Sequence, residues 1–423
     1  MQLKVKGRFG KVSEEKIADF AFIMYFANAM LRTFFRWLFG GESSIAIIVA
    51  VVIAYVPVLL LYVLRPKKYI KWDVIALYAW LAFFIGITVI LHPEYNYYYA
   101  RPIYGLWDYV IIPYRGIYAY LFVRLINNPQ KIMRNMEKTG WIMFIYFAYQ
   151  IINFLRRGYW YGVDGLDGMA KLSYSVSFGY EVLPFALTFL YLALKRRKYR
   201  DIFASGLSIV MILVGGSRGP ILFLGLFIVL YVCIELKYSR KKIVIISCIS
   251  IVTILLYTVY EPILMKLSVI ITKMGFSSRF ITTLLNGAIS NDSGRSAIWQ
   301  AAIEMIKDSP FGYGAMGTRP VITKIIAAGY PHSVILEILV DYGVFVGGAL
   351  LVFFFISSLF IMFSDKSKMW SGIFLVFFCS TCSLFISLTY WSVPTFWGCL
   401  GIGVNCFKYN RLKKGKNSAI KCK

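Results

Sequence analysis

The sequence predicts an all-α integral membrane protein with about twelve transmembrane helices. Of its 423 residues, 59% are hydrophobic and 18% aromatic, and the mean hydropathy is positive, outside the range of soluble domains. Apolar windows of about 20 residues, the length that crosses ~30 Å of hydrocarbon, recur along the whole chain. The windows are centred near residues 27, 54, 81, 114, 147, 184, 208, 227, 252, 353, 379 and 400.

The basic residues lie mainly in short loops between these windows, although the net charge is +26. If successive spans alternate in direction, these loops fall on one face, and the positive-inside rule makes that face and both termini cytoplasmic. The charge therefore requires no nucleic-acid partner. The basic segments are KVKGRFGK, RPKKYIK, RLINNPQKIMRNMEK, KRRKYR, KYSRKK, SDKSK and KYNRLKKGKNSAIKCK.

The first window has a basic start, a short apolar core and the tripeptide ANA at residues 27–29, as a cleavable signal peptide does. Arg32 and Arg36 follow directly, and positive charge at that position disfavours export. We therefore predict an uncleaved first span.

Two predicted outer loops are longer than the rest. Residues 156–173 read RRGYWYGVDGLDGMAKLS, and residues 263–331 form the longest soluble stretch. Long loops on a rigid scaffold often carry function. Because no repeat or soluble-domain boundary is visible, we predict one membrane domain over residues 1–423, with 263–331 as a long external loop.

The external loop contains NDSGRSAIWQAAIEMIKDSP, which predicts an amphipathic helix. Side-chain caps at residues 291–293 precede it, and Ser309 and Pro310 end it. Its polar stripe consists of Gln300, Glu304 and Lys307.

A second short helix is predicted at PHSVILEILVDYG. Ser333, Glu337 and Asp341 recur every four residues and mark one polar face, and Gly343 can end the helix before the next span.

Arg218 lies in GGSRGP, residues 215–220, at the predicted outer end of the span near 208. A central intramembrane arginine costs about 2.5–3.5 kcal/mol, so such residues face protein or a water-filled cavity. Neighbouring glycines allow a ligand to approach closely, and the planar guanidinium suits phosphate. A snorkelling arginine in a tight turn is the alternative.

Three further arginines could face the same side: Arg295 in SGRS, Arg319 in GTRP and Arg101 in ARPIYG. Arg295 could instead have a structural role at a helix start. Arg319 and Arg101 precede prolines and could simply be solvated loop residues.

The chain has two histidines, and both are predicted to lie outside. His332 sits at the start of the helix with Glu337, where it is either structural or a general base. His92, in LHPEYNYYYA, is interpreted as part of an aromatic belt.

Three more charged residues fall within predicted spans. Asp108 and Arg115, seven residues apart in the fourth window, are expected to pair with each other. Glu181, in SFGYEVLPFAL, has no oppositely charged residue nearby in the sequence. One interpretation is that its side chain faces a cavity.

Three blocks in this order resemble the shared signature of the O-antigen ligase and Wzy-type polysaccharide polymerase superfamily: GGSRGP, SGRSAIWQAAIEMIKDSPFGYG and HSVILEILVDYGVFVG. The resemblance is specific over residues 205–235 and 290–360 and covers only general topology in the first five spans. It implies a GT-C-like, inverting, metal-independent glycosyltransferase without a cofactor. Its donor would be a glycan on undecaprenyl pyrophosphate, and its active site would face outward from the bacterial cytoplasmic (inner) membrane.

By matching motif, the resemblance assigns pyrophosphate contacts to Arg218 and Arg295 and activation of the acceptor hydroxyl to His332. These three are the expected catalytic residues. Lipid pyrophosphate is already a good leaving group, so the reaction needs cations and a base, and the outer loops contain no acidic cluster with metal-ligand spacing. The expected substrate-binding residues are Arg319, Glu337, Arg101, Ser217 and Ser333.

A polymerase and a ligase share this chemistry and differ in the acceptor, which is another lipid-linked repeat unit or lipid A core. The bias toward Ile, Lys, Phe and Tyr, common in low-GC bacteria that often lack lipid A, favours an O-antigen or capsule polymerase. A flippase is the rival class, but the sequence shows no two matching halves. Expected partners are the bilayer and the glycan donor and acceptor, with a flippase and a chain-length regulator as further candidates.

Overall fold

The computed structural model describes residues 13–164, 168–172, 175–215, 218–235, 295–364 and 368–421, and four single positions at 266, 269, 270 and 273. In these residues the chain is a helical bundle with one two-stranded antiparallel sheet. The helices are α1 (Glu14–Phe26), α2 (Asn28–Leu38), α3 (Ser43–Leu64), α4 (Pro66–Tyr69), α5 (Trp72–Leu91), α6 (Asn96–Tyr99), α7 (Leu106–Val110), α8 (Ala119–Arg124), α9 (Pro129–Arg157), α10 (Val176–Arg196), α11 (Tyr199–Gly215), α12 (Arg218–Glu235), α13 (Arg295–Asp308), α14 (Arg319–Ile322), α15 (Val334–Ser364), α16 (Met369–Thr381) and α17 (Pro394–Lys421). Short 3₁₀ helices are Pro93–Tyr95, Gly116–Tyr118 and Cys382–Phe385, and the strands are β1 (Trp160–Asp164) and β2 (Gly168–Leu172).

Four of the described helices are long and apolar enough to cross a membrane: Ser43–Leu64, Trp72–Leu91, Ser177–Arg196 and Val334–Phe363. Their apolar surface is partly exposed; on α3, for example, Leu59 and Val63 are 59% and 80% exposed. Soluble proteins rarely expose such a surface, so the helices support a membrane protein. The total of twelve spans stays a prediction, and the window near 252 lies outside the described residues.

The first predicted window contains two helices instead of one continuous span. The chain leaves α1 at Ala27, where φ is −94° and ψ is 10°, and α2 begins at the next residue. Arg32 on α2 lies over the ring of Tyr114, with 4.1 Å between the guanidinium carbon and the ring centroid.

The fourth window also lacks a continuous helix, because only α7 and α8 form there. Pro113 has no N–H to donate, and a Cβ at Gly116 would lie 2.5 Å from the backbone of Ser392, so this segment fits only as a close-packed turn. The predicted pairing is confirmed, since Arg115 Nη2 lies 2.6 Å from both carboxylate oxygens of Asp108.

Ion pairs join the basic loops to one another at one end of the bundle, which we call the basic end. Asp73, at the start of α5, accepts hydrogen bonds from Arg124 Nε at 2.6 Å and Lys408 Nζ at 2.5 Å. The other pairs at this end are Arg65 with Glu14, Lys131 with Glu15, Arg196 with Glu137, and both Lys195 and Lys368 with Glu235. The orientation of this end relative to the membrane stays a prediction.

A β-hairpin lies at the opposite end, which we call the hairpin end. Gly158, with φ of +76°, ends α9, and β1 then pairs with β2 so that Trp160 faces Leu172 in the register. The sequence analysis identified this segment as a loop. Aromatic and valine residues followed by VDGLDG are typical of a hairpin with a Gly- and Asp-rich turn.

Candidate functional site

The site is built on α15, which a glycine divides near its start. Gly343 has φ of +76° and ψ of 171°, and a Cβ there would lie 2.4 Å from the carbonyl carbon of Phe311. The preceding loop closes over this break, because Tyr313 N donates to Val340 O at 2.8 Å and Gly314 N donates to Asp341 O at 3.0 Å. The predicted short helix ending at Gly343 is therefore confirmed.

Helix α13 packs its apolar stripe against this first part of α15. Ile298, Ala302 and Met305 are buried in one cluster with Ile322 and Val340. The polar stripe predicted for this helix is exposed, so its amphipathic character is confirmed. Its predicted caps at residues 291–293 lie outside the described residues.

His332 is held at the end of this loop by contacts on both sides. Trp299 on α13 donates its indole N–H to the carbonyl of Pro331 at 2.9 Å. The His332 ring packs edge-on against Tyr330, with centroids 4.6 Å apart, and its φ is +52°. A non-glycine residue at positive φ is uncommon and indicates that the surroundings impose this conformation.

Burial, together with the positive charges of Arg295 and Arg319, lowers the pKa of the His332 imidazole from 6.5 to about 4. The ring is therefore neutral at pH 7, with one nitrogen able to accept a proton. This is the charge state that a general base needs, and it follows from the burial of the ring and, secondly, from the charges of the two arginines.

Arg319 is not the solvated loop residue that the sequence allowed, because its side chain is only 1% exposed. Its Nη1 donates to Gly329 O at 2.7 Å and its Nε to Tyr104 O at 3.3 Å, and its guanidinium lies 5.3 Å from the centroid of the Tyr330 ring. Nη2 has no hydrogen-bond partner among the described residues. Arg319 therefore joins the backbone at Gly329 to the backbone at Tyr104, and its Nη2 is left unpaired among the described residues.

Arg101 lies in a tight turn beside Arg319. A Cβ at Gly105 would lie 2.2 Å from the carbonyl oxygen of Arg101, so this turn requires glycine. The charges of Arg101 and Arg319 both act on the phenol of Tyr104, whose ring centroid is 6.2 Å from that of Tyr330. Arg101 is partly buried and contributes to a positive patch rather than standing alone in a loop.

The polar face of α15 points inward, where Glu337 and Asp341 are 0% and 1% exposed. Glu337 Oε1 accepts a hydrogen bond from the Thr389 hydroxyl at 2.6 Å, and Asp341 Oδ2 accepts one from the Tyr390 hydroxyl at 2.8 Å. Asp341 Oδ1 accepts a third from Gly317 N at 3.1 Å. These carboxylates tie the segment around residue 390 and the loop before α14 to the site.

Ser333 is 8% exposed and lies beside His332, where its carbonyl accepts the backbone N–H of Glu337 at 2.9 Å. It therefore begins α15. The contacts of Ser333 and Glu337 give both residues structural roles, and their substrate-binding roles stay predictions.

The start of α12 joins the site through Tyr180 on α10. A Cβ at Gly219 would lie 2.0 Å from the Tyr180 hydroxyl oxygen, so helix and phenol are in direct contact. The same phenol lies within interaction range of Ser387 and of Arg295. Arg218 is the first residue of α12, but its side chain and the whole of Ser217 lie outside the described residues.

Sequence reasoning did not identify Tyr180, Thr389 and Tyr390 as part of the site. Each lies in an apolar stretch with no motif around it, and a hydroxyl in such a stretch is only a weak signal. His92 lies elsewhere, stacked on Tyr95 at 4.7 Å with Nδ1 3.1 Å from Glu94 Oε1.

The described residues contain no group of three His, Cys, Asp or Glu side chains placed to hold a metal ion. What they bring together is a neutral imidazole, three arginines and the start of α12. Such a set has the chemistry to bind a polyanion and to accept a proton.

The family model described as O-antigen ligase matches residues 203–352, about a third of the chain. That range contains Arg218, Arg295, Arg319, His332 and Glu337, and it runs from α11 into the second part of α15. No curated protein and no solved structure gives a significant match. Residues 203–352 are therefore similar to the O-antigen ligase family, which confirms the resemblance seen in the three sequence blocks.

Proposed function

We propose that the chain is a polysaccharide polymerase that joins undecaprenyl-pyrophosphate-linked repeat units on the outer face of the bacterial cytoplasmic membrane. The observation that carries the proposal is the buried His332 within electrostatic range of Arg295 and Arg319. Arg295 is also within range of Tyr180, which contacts the start of α12. The matched family implies a lipid-linked glycan as the substrate class, and the four apolar helices imply a location in the membrane.

The arginines stabilise the leaving group. As the bond between the anomeric carbon and the pyrophosphate oxygen breaks, its electron pair leaves with the pyrophosphate, and negative charge grows on that oxygen. Arg218 and Arg295 neutralise this charge, and the N-terminal N–H groups of α12 add to the field. Arginine supplies two donors in one plane, which matches two phosphate oxygens.

His332 takes the proton of the attacking hydroxyl. The acceptor hydroxyl oxygen forms a bond to the anomeric carbon on the side opposite the pyrophosphate, so the configuration inverts. In the free protein the neighbouring arginines keep the pKa of His332 low. Bound pyrophosphate offsets their charge, which raises that pKa and makes proton transfer to the ring easier.

The acceptor distinguishes polymerase from ligase. The composition of the chain favours a repeat unit as the acceptor, and none of the contacts described above discriminates between the two. Lipid A core as the acceptor is therefore the second candidate.

The test is an assay of purified protein in EDTA with a lipid-pyrophosphate-linked repeat unit and without lipid A core. We expect a ladder of longer glycans that disappears in His332→Ala and persists in His92→Ala, the matched control at the other histidine. A product that forms only after lipid A core is added would make the protein a ligase. If folded wild-type protein transfers nothing under either condition, the glycosyltransferase proposal is wrong.

A further inference from the structure

A polar cavity lies at the hairpin end, outside the set of residues that holds His332. Its volume is ≈ 180 Å³, several times the ~30 Å³ share of one water molecule. The last turns of α9, the start of β1 and the first turn of α10 form its walls. None of its lining residues belongs to the proposed pyrophosphate site.

One wall of the cavity is aromatic. The Trp160 ring stacks on Phe154 with centroids 4.7 Å apart and lies 4.8 Å from Phe178. Tyr161 lines the same wall and has the Arg157 guanidinium 5.4 Å from its ring centroid. Flat aromatic surfaces of this kind pack against the C–H faces of a sugar ring.

The other walls carry hydrogen-bonding groups. Gln150 and Glu181 lie within interaction range of the Tyr146 hydroxyl, and Asn153 lines the cavity beside them. Amide and carboxylate groups together donate to and accept from hydroxyls, which is what a sugar requires. A lipid hydrocarbon tail would not suit this cavity, because the polar groups that line it would lose their hydration without gaining hydrogen bonds in return.

One donor in this wall is unused. Trp160 is 6% exposed, yet its indole Nε1 has no acceptor among the described residues. A buried polar group left unpaired costs about 1–3 kcal/mol, and such groups normally have a partner. A ligand oxygen in the cavity would supply it.

The cavity adjoins the end of α11 at Gly215. Ser175, on its rim, donates its backbone N–H to Gly215 O at 2.9 Å, and a Cβ at Gly215 would lie 2.9 Å from the ring of Phe178. Helix α10 therefore lines the cavity with Glu181 and contacts the start of α12 with Tyr180, the preceding residue.

We propose that this cavity binds a sugar residue of the lipid-linked glycan beside the pyrophosphate site. The identity of that glycan rests on the proposed function. Trp160 and Tyr161 receive the ring face, and Glu181, Gln150 and Asn153 bind the hydroxyls.

The test measures binding by the full-length purified protein with two probes. One is the oligosaccharide released by mild acid from the lipid-linked repeat unit, and the other is undecaprenyl pyrophosphate without sugar. The cavity variants are Trp160→Phe, Glu181→Gln and Asn153→Ala. The matched controls are Trp72→Phe, at a residue that is 83% exposed and does not line the cavity, and Arg295→Gln.

We expect the cavity variants to raise the Kd for the oligosaccharide about tenfold, as loss of a buried polar contact does, and to leave the Kd for undecaprenyl pyrophosphate within about twofold. Arg295→Gln should do the reverse, and Trp72→Phe should change neither. Asn153 is partly exposed and outside the aromatic stack, so Asn153→Ala remains a test even if Trp160→Phe fails to fold.

The two proposals can fail separately. Oligosaccharide that does not bind to the wild type, or binds equally to every variant, would overturn the sugar site whatever the transfer assay gives. Oligosaccharide binding that depends on the cavity, in a protein that transfers no glycan, would support the sugar site and contradict the proposed function.

Discussion

His332 takes its charge state from residues that are distant in sequence. Burial of the ring and the positive charges of Arg295 and Arg319 together keep it neutral. Because the folded protein binds this proton less readily than the unfolded chain, stability falls as pH drops from about 6.5 to about 4. Neither arginine lies within ten residues of the histidine.

The histidine charge can be measured directly, because His92→Gln leaves His332 as the single histidine of the chain. In protein with ¹³C-labelled histidine, we expect no NMR titration between pH 5.5 and 8 and a midpoint near pH 4. Arg295→Gln should move the midpoint upward, because one positive charge is removed. Titration near 6.5 in the free protein would show that the imidazole is not held neutral.

The shape of the guanidinium can be separated from its charge at Arg218. Arg218→Lys keeps the charge and loses the two-donor fork, so we expect activity to fall by at least about tenfold with normal membrane insertion. Arg134→Lys, at an exposed arginine of the basic end, is the control and should retain activity. Wild-type turnover in Arg218→Lys would remove the proposed phosphate role.

Two glycines determine how the helices around the site meet. Gly219 lets α12 touch Tyr180, and Gly343 lets the chain turn under the loop at Phe311. In both places a side chain would meet atoms closer than van der Waals contact allows. The site therefore depends on close approach between elements rather than on helix propensity.

Gly343→Ala should destabilise the protein by at least about 2 kcal/mol, since alanine tolerates the positive φ poorly and its Cβ meets backbone atoms. Gly348→Ala, in the same helix, has open space and should be neutral or slightly stabilising. Thermal unfolding in detergent measures both. Equal melting temperatures would show that the break at Gly343 is not required.

Gly219→Ala tests the contact between α12 and Tyr180. A Cβ there would lie 2.0 Å from the phenol oxygen, and overpacking of this kind costs about 1–3 kcal/mol. Gly225→Ala, two turns along the same helix and in open space, is the matched control. We expect the first variant to lower the melting temperature and the glycan transfer rate, and the second to lower neither.

At the scale of the whole molecule, the ion pairs of the basic loops lie at one end of the bundle and the candidate site lies at the opposite end. The ion pairs of Asp73, Glu137 and Glu235 hold the basic end together. The hairpin end has the start of α12, the cavity and the loop with His332. The positive-inside rule predicts that the hairpin end faces outward.

This orientation can be tested with single introduced cysteines. Tyr97→Cys, at a residue 76% exposed beyond the end of α5, should react with a membrane-impermeant maleimide in intact spheroplasts. Lys67→Cys, in the basic loop after α3, should react only after permeabilisation. The parent protein gives the background from native cysteines, and the reverse pattern would contradict the proposed outward site.

Much of the candidate site was predictable because its signals are local. The spacing of polar residues on α13 and α15 follows helical periodicity, and Gly343 is a local break. Burial of Arg319 was not predictable, since its partner Tyr104 lies 215 positions away. The turn at Pro113 was missed for a similar reason: its close packing against Ser392 is invisible in an apolar window.

By itself the sequence determined the helical, apolar composition expected of a membrane protein, the concentration of positive charge in one set of loops, and the resemblance of three blocks to the O-antigen ligase family. These properties depend on composition, local periodicity and short motifs. Only the tertiary structure decided that His332 is neutral, that Arg319 is buried, and that Trp160 and Glu181 line one cavity. Burial, pKa and cavity shape depend on groups brought together from distant parts of the chain, and the free energy of each group depends on all of its neighbours.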